Sequence, residues 1–178
     1  MSDSPISSTT SALDIARLVG GTEAIVVRTD DPLHALAERA VANPSCRVLS
    51  VVDGHDRLVG LVRVTDLLED IFLKVVPEES LGAIDDVEDA LRYARHLGAR
   101  TAADVMQEPA WVHADDDLRT VFHRLRMSGL NGLPVTDAER RVVAYLDQLE
   151  LLMAWVETTG REVLLAPQDK ASPDEPTA

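Results

Sequence analysis

The sequence predicts an α/β fold made of two similar halves that share one core. Three observations carry this. Short β-branched runs such as AIVVR (24–28) and VLSVV (48–52) alternate with stretches of helical apolar spacing. Residues 49–71 align with 133–155 without a gap: Leu49, Val51, Asp53, Arg57, Val59, Leu67 and Leu68 recur as Leu133, Val135, Asp137, Arg141, Val143, Leu151 and Leu152. The helix starts upstream of these stretches also line up once a single insertion is allowed. A duplicated unit of this size buries its apolar face against its twin.

The first half begins with a short helix from Leu13 to Val19, followed by the strand 24–28. Asp31-Pro32 reads as a helix start, with Asp capping free N–H groups and Pro at the first helical position. That helix runs to Val41 on an apolar face of Leu33, Leu36, Ala37 and Ala40, and Asn43-Pro44 stops it. VLSVV is the second strand. DGHD (53–56) is a hairpin turn in which Gly54 is available for positive φ, and RLVGLVR (57–63) is the third strand. From Thr65 the pattern is helical, with Leu67, Leu68, Ile71 and Phe72 on one face.

The second half repeats the order. Ala103–Met106 ends a short helix, and WVH (111–113) is a strand. Asp116 caps a helix with Leu118, Val121, Phe122 and Leu125 on its apolar face. LPVT (133–136), the turn DAER and RVVAYLD follow, and the last helix starts at Leu149. Between the halves, residues 77–99 interrupt the repeat. Their stripe of Leu81, Ile84, Val87, Leu91 and Ala94 reads as one amphipathic helix packed on the body or offered to a partner. The organisation is then a disordered 1–11, a first repeat 12–76, the segment 77–99, a second repeat 100–160 and a polar tail 161–178.

Composition excludes several functions. Net charge is −14, which repels nucleic acid and anionic membrane. Aromatic residues are 3%, too few for a surface that stacks bases or sugars. The single cysteine, Cys46, reads as a buried hydrophobe. No CxxC or His cluster suggests a metal. The N-terminus lacks the charged and apolar regions of a signal peptide, and no apolar run reaches the ~20 residues a membrane span needs, so a cytoplasmic chain is expected. The five His are scattered, Ser128-Gly129 is no nucleophile elbow, and the acid runs at 85–86 and 115–117 fit solvated surface or capping. No catalytic constellation is present in the sequence, and the chain is not expected to be an enzyme.

Three phrases, in order and in duplicate, resemble the cystathionine-β-synthase (CBS) domain family. TAADVMQEPAWV resembles its DVM..P..V opening, LPVTDAERRVVAYL its PVVD..GRVVG hairpin, and LSVVDGHDRLVGLVRVTDLLEDI its VVD..GRLVGIVTxxDLL close. The resemblance covers 12–75 and 100–157. It implies two CBS repeats, α-β-α-β-β-α each, packed about a pseudo-twofold axis. It also implies regulation, two clefts for AMP, ADP, ATP or S-adenosylmethionine, homodimers, an unknown protein partner and no required cofactor.

In the family the closing G-h-h-T/S-x-x-D phrase holds the ligand, the aspartate on the ribose and the Thr/Ser on a phosphate. Carried onto this chain, the first site has Gly60 and Asp66, with Arg63 at the Thr/Ser position and Thr65 beside them. Arginine can hold phosphate in a fork, and a carboxylate can accept from both ribose hydroxyls. Asp66 is equally well explained as a first-turn acid that complements the helix dipole, and Arg63 as a solvated strand residue. Val26, Val27 and Val51 would line the adenine, with Arg28 at the strand end; ordinary core explains the valines as well. In the second site Ala144 replaces the glycine, Asp147 the Thr/Ser and Glu150 the aspartate, with His113 and Pro134 nearby. Asp147 would repel phosphate, so the second site is expected to be degenerate and the ligand to sit near Asp66. The alternative is a constitutive dimerisation or adaptor protein with empty clefts.

Overall fold

A computed structural model describes residues 9–75, 100–153 and 156, the first of these stretches without side chains beyond 69. The expected 77–99 helix, residues 1–8 and the tail 161–178 lie outside the described residues, while Ser11, placed in the terminal segment 1–11, caps α1 by accepting from Asp14 N at 3.2 Å. The first half contains α1 (Ala12–Leu18), β1 (Val26–Arg28), α2 (Leu33–Ala42), β2 (Val48–Val52), β3 (Leu58–Arg63) and α3 (Val64–Val75). The second contains α4 (Ala102–Val105), β4 (Val112–His113), α5 (Leu118–Ser128), β5 (Gly132–Thr136) and β6 (Val142–Asp147), after which 148–153 are helical.

Each half is a three-stranded sheet in the order β1-β2-β3 or β4-β5-β6. The first pair is parallel and joined through a helix; the second is an antiparallel hairpin. Register matches between halves: Val51 faces Val27 and Gly60, and Val135 faces Val112 and Ala144. Both hairpins shift register at the same place, Val51/Val52 and Val135/Thr136. The central strands β2 and β5 are buried throughout, which is why VLSVV and LPVT read as continuous apolar runs rather than alternating ones.

The halves are tied by exchange. The first N–H groups of a helix have no partner within it. In α1, Ala12 N donates to Asp116 O (2.7 Å) and Leu13 N to Ala114 O (3.1 Å). In α4, Ala102 N donates to Asp31 O and Ala103 N to Thr29 O, both at 2.9 Å. Each leading helix is therefore anchored on the loop of the opposite half. Among the described residues, no helix is long and apolar enough to cross a membrane.

Several local expectations need correction. Asp31 does not cap α2: its Oδ2 accepts from Arg28 N at 2.9 Å, and Pro32 stands at the N-cap with no side-chain bond. In the same way Asp116 accepts from His113 N at 2.8 Å, and Asp117 is the cap of α5, accepting from Thr120 N. A short carboxylate at a strand end bonds the backbone nearest to it, which here is the turn leaving the strand. The positive φ of the first hairpin falls on Asp56 (61°), not Gly54, and on Arg140 (65°) in the second. In both loops a turn is followed by one left-handed residue, and Asp53 or Asp137 Oδ1 accepts from two N–H groups of the loop. β1 begins at Val26 and α3 at Val64, so Thr65 is inside the helix. Leu68 and Phe122, expected on buried faces, are 65% and 66% exposed. Cys46 is buried as expected, and burial raises its thiol pKa, which keeps it unreactive.

Candidate functional site

The two clefts predicted from the repeats are not alike. In the first, β3 delivers Asp66 into the opening turn of α3, where it is 8% exposed. Arg63 closes on it as a fork, Nη2 to Oδ1 at 2.7 Å and Nε to Oδ2 at 2.9 Å. The bond to Asp66 raises the Arg63 pKa further. Gln107 Nε2 also donates to Oδ2. The Gln107 backbone pairs with Leu61 in both directions (2.8 and 3.1 Å), and Met106 lies over Gly60. A Cβ on Gly60 would meet Met106 Sδ at 2.5 Å and its Cβ at 2.9 Å. The glycine is the seat for Met106. The carboxylate expected to hold a ligand is occupied by the chain itself.

The other residues assigned to the first site do not gather there. Val27 and Val51 belong to the core, because β2 is buried on both sides. Arg28 turns to the hairpin tip, with Nη2 3.0 Å from Asp56 Oδ1 and Nη1 3.3 Å from Asp53 O. Thr65 is exposed. Val26 opens into the second cleft instead.

That second cleft is an open cavity of about 590 Å³ between α1 and β6. Leu13, Ala16, Ala24 and Val26 form one wall and Val142 to Tyr145 the other. It is open because the path from leading helix to strand is longer here: Val27 follows Ser11 by sixteen positions, whereas Val112 follows Thr101 by eleven. The extra length extends α1 to seven residues against four in α4 and turns the chain outward. Gly20, at φ 72°, makes that turn, and a Cβ on Gly21 would lie 2.7 Å from Ala16 O. Nothing corresponds to Met106, so Ala144 is accommodated where Gly60 was required.

Glu150 reaches across the rim. Its Oε1 accepts from Thr22 N and its Oε2 from Asp147 N at 3.1 Å, joining the α1–β1 loop to the end of β6. Asp147, expected to line this cleft, is buried beside a different groove, next to α5, and caps the next helix through Leu149 N (2.8 Å). His113 sits edge-on to Trp111 at 6.4 Å, and Pro134 is buried opposite Tyr145. Neither lines the cavity. Reading motifs missed the contribution of α1 and residues 20–24, and the Gln107–Asp66 contact. The Gly20-Gly21 doublet and the unequal spacing were the available signals.

Burial pushes the Asp147 carboxyl above its ordinary value, and the Glu150 charge adds to this. Ionising Asp147 therefore opposes folding. Stability should fall as pH rises from the unfolded carboxyl pKa through the raised folded one. Asp147→Asn, which keeps an acceptor for Leu149 N, is expected to raise the unfolding temperature at neutral pH. The gain should vanish below about pH 4, where both states of the wild type are protonated. Thermal unfolding followed from acid to neutral pH checks this; a gain that persists in acid would be wrong for this cause.

The CBS domain family model matches residues 19–73 and 102–157, together more than half of the chain. The chain belongs to the CBS domain family. It is a tandem CBS pair whose two matched spans are the two sheet-bearing halves. Solved structures agree in fold. A CBS domain-containing protein (tm0935) from Thermotoga maritima is 23% identical, with 84% of this chain and 96% of that one covered at a TM-score of 0.63. The CBS domain pair of protein MJ0100, in complex with 5′-methylthioadenosine and S-adenosyl-L-methionine, is 18% identical over 84% and 98% at 0.60. CBSX2 in complex with AMP is 21% identical over 75% and 88% at 0.56. No curated protein matches the sequence.

Proposed function

We propose that this CBS pair is a ligand-sensing regulatory module, not a catalyst, and that it takes one adenosine-containing ligand in the cleft between α1 and β6. The observation that carries this reading is the open cavity beside the second closing phrase, with the Glu150 carboxylate bonded to the backbone of Thr22 in its lining. Solved CBS pairs bound to AMP, or to 5′-methylthioadenosine and S-adenosylmethionine, support the class of ligand. The apolar walls suit a flat base. Each Glu150 oxygen keeps a lone pair beyond its backbone donor and can accept a ribose hydroxyl. Glu23 and Arg17 are the charged residues lining the cavity, and Arg17 is 3.8 Å from Asp14. Such a lining favours adenosine carrying a neutral or cationic 5′ group over a polyphosphate.

The ligand would touch α1 of one half and β6 of the other, so binding biases how the halves sit, and a protein partner reads the change. The cleft at Asp66 takes a second ligand only if Gln107 leaves the carboxylate. The closed state of that cleft favours the rival reading, a constitutive adaptor that assembles as a homodimer. Calorimetric titration distinguishes the two. The expected result is one site per chain, with 5′-methylthioadenosine and S-adenosylmethionine ahead of ATP. No heat with any of these, or with AMP or ADP, at millimolar concentration would leave the adaptor.

A further inference from the structure

The segment that closes the Asp66 cleft is fixed at both ends. Residues 106–111 run along the outer edge of β3, with Met106 on Gly60 and the Gln107 backbone paired to Leu61. At the far end Trp111 lies under Arg140, whose guanidinium carbon is 4.2 Å from the ring centre. Arg140 O accepts from Leu58 N at 2.9 Å, so the stack rests on the start of β3. Val26, the counterpart of Trp111 on β1, lines the open cleft instead.

Closure has a cost. Trp111 Nε1 and Arg140 Nε are buried with no hydrogen-bond partner among the described residues. An indole and a guanidinium only donate, so each forgoes an acceptor that water would supply. The segment is also tied to the walls of the other cleft. Just before it, α4 donates from Ala102 N to Asp31 O and from Ala103 N to Thr29 O, in the loop that follows β1. Just after it, Ala114 O and Asp116 O accept from Leu13 N and Ala12 N, the first N–H groups of α1. Two walls of the α1–β6 cleft, α1 and the strand carrying Val26, therefore hold the two ends of the segment.

We infer that residues 106–111 are a releasable plug in the Asp66 cleft, and that a ligand in the α1–β6 cleft keeps the plug in place. A ligand there packs against α1 and Val26 and steadies both anchors. With the anchors steady, the plug stays on Gly60 and Asp66, and a second ligand is refused. When the plug leaves, Asp66 loses Gln107 but keeps the Arg63 fork, and the two unpaired donors reach water. Coupling between two sites is reciprocal, so a change that releases the plug also weakens the first ligand. The inference rests on the reading that the α1–β6 cleft takes an adenosine-containing ligand, and adds how its occupancy governs the other cleft.

Two measurements on the full chain test it. In a Trp155→Phe background Trp111 is the one tryptophan left, and iodide quenching of its emission reports release of the plug. Gln107→Pro removes the side-chain bond to Asp66 and the N–H given to Leu61, and touches nothing in the lining of the α1–β6 cavity. Met106, at φ −65° and ψ 145°, already has the extended backbone that precedes a proline. Without ligand, Gln107→Pro should raise the quenching. Calorimetric titration with 5′-methylthioadenosine should give one site per chain in the wild type. In the variant it should give two, with the first weakened about fivefold or more. In the wild type the same ligand should lower the quenching. One site of unchanged affinity in the variant overturns the inference, as does wild-type quenching that the ligand leaves alone or raises. A wild type that binds neither 5′-methylthioadenosine nor S-adenosylmethionine removes the ligand reading and the coupling with it. The plug then stands if Gln107→Pro raises the quenching and falls if it does not. If Gln107→Pro fails to fold, Gln107→Ala takes its place, with the same directions expected.

Discussion

Ala144→Trp is expected to abolish ligand-dependent stabilisation while leaving the CBS pair folded. Ala144 lies on β6 in the wall of the α1–β6 cavity, and the cavity holds room for an indole without moving the core. With a ligand at a hundred times its Kd, mass action adds about 2.7 kcal/mol to the wild type. Thermal unfolding with and without 5′-methylthioadenosine should show that increment in the wild type and none in the variant. An undiminished shift would mean that the ligand sits elsewhere, the Asp66 cleft being the next place to look. The same substitution at Gly60 has no such space: Met106 already fills it.

The second large effect is on stability. Leu133 is fully buried on β5, opposite Leu146, and Leu49 is its counterpart on β2. Leu133→Ala is expected to cost about 2–5 kcal/mol, the range for emptying a leucine-sized space in a packed interior. Urea unfolding should show the midpoint falling with the slope unchanged. Both halves should still melt in one transition, because α1 hydrogen-bonds the second half's loop and α4 the first half's. Two separated transitions in Leu133→Ala would show that the halves are independent, against the single shared core.

Much of the fold could be read from residue patterns because those patterns are local. Short β-branched runs placed the strands and period-3.6 spacing most helices, and the aspartates of the two loops, Asp53 and Asp137, sit where their hairpins turn. The errors were of one or two residues, and they came from competition between near neighbours. Asp31 and Asp116 each had a strand-end N–H closer at hand than a helix N–H. Leu68 and Phe122 were placed on buried faces because spacing alone does not say whether the far side of a helix meets another copy or solvent.

The site was harder to read. Asp66 and Arg63 lie three residues apart, and their pairing is within reach of a sequence argument. Gln107 reaches Asp66 across 41 positions, and nothing local announces it. The spacing between leading helix and strand, longer in the first half, was visible as a number, but its consequence was not.

By itself the sequence determined that this protein is two duplicated α-β-α-β-β-α units with a net negative charge, because apolar period, turn residues and charge act over a few residues. Only the tertiary structure decided which cleft is open. The leading helix of each half lies against the opposite sheet, so a five-residue difference in one half empties the cleft of the other, while the shorter path lays Met106 and Gln107 onto Gly60 and Asp66.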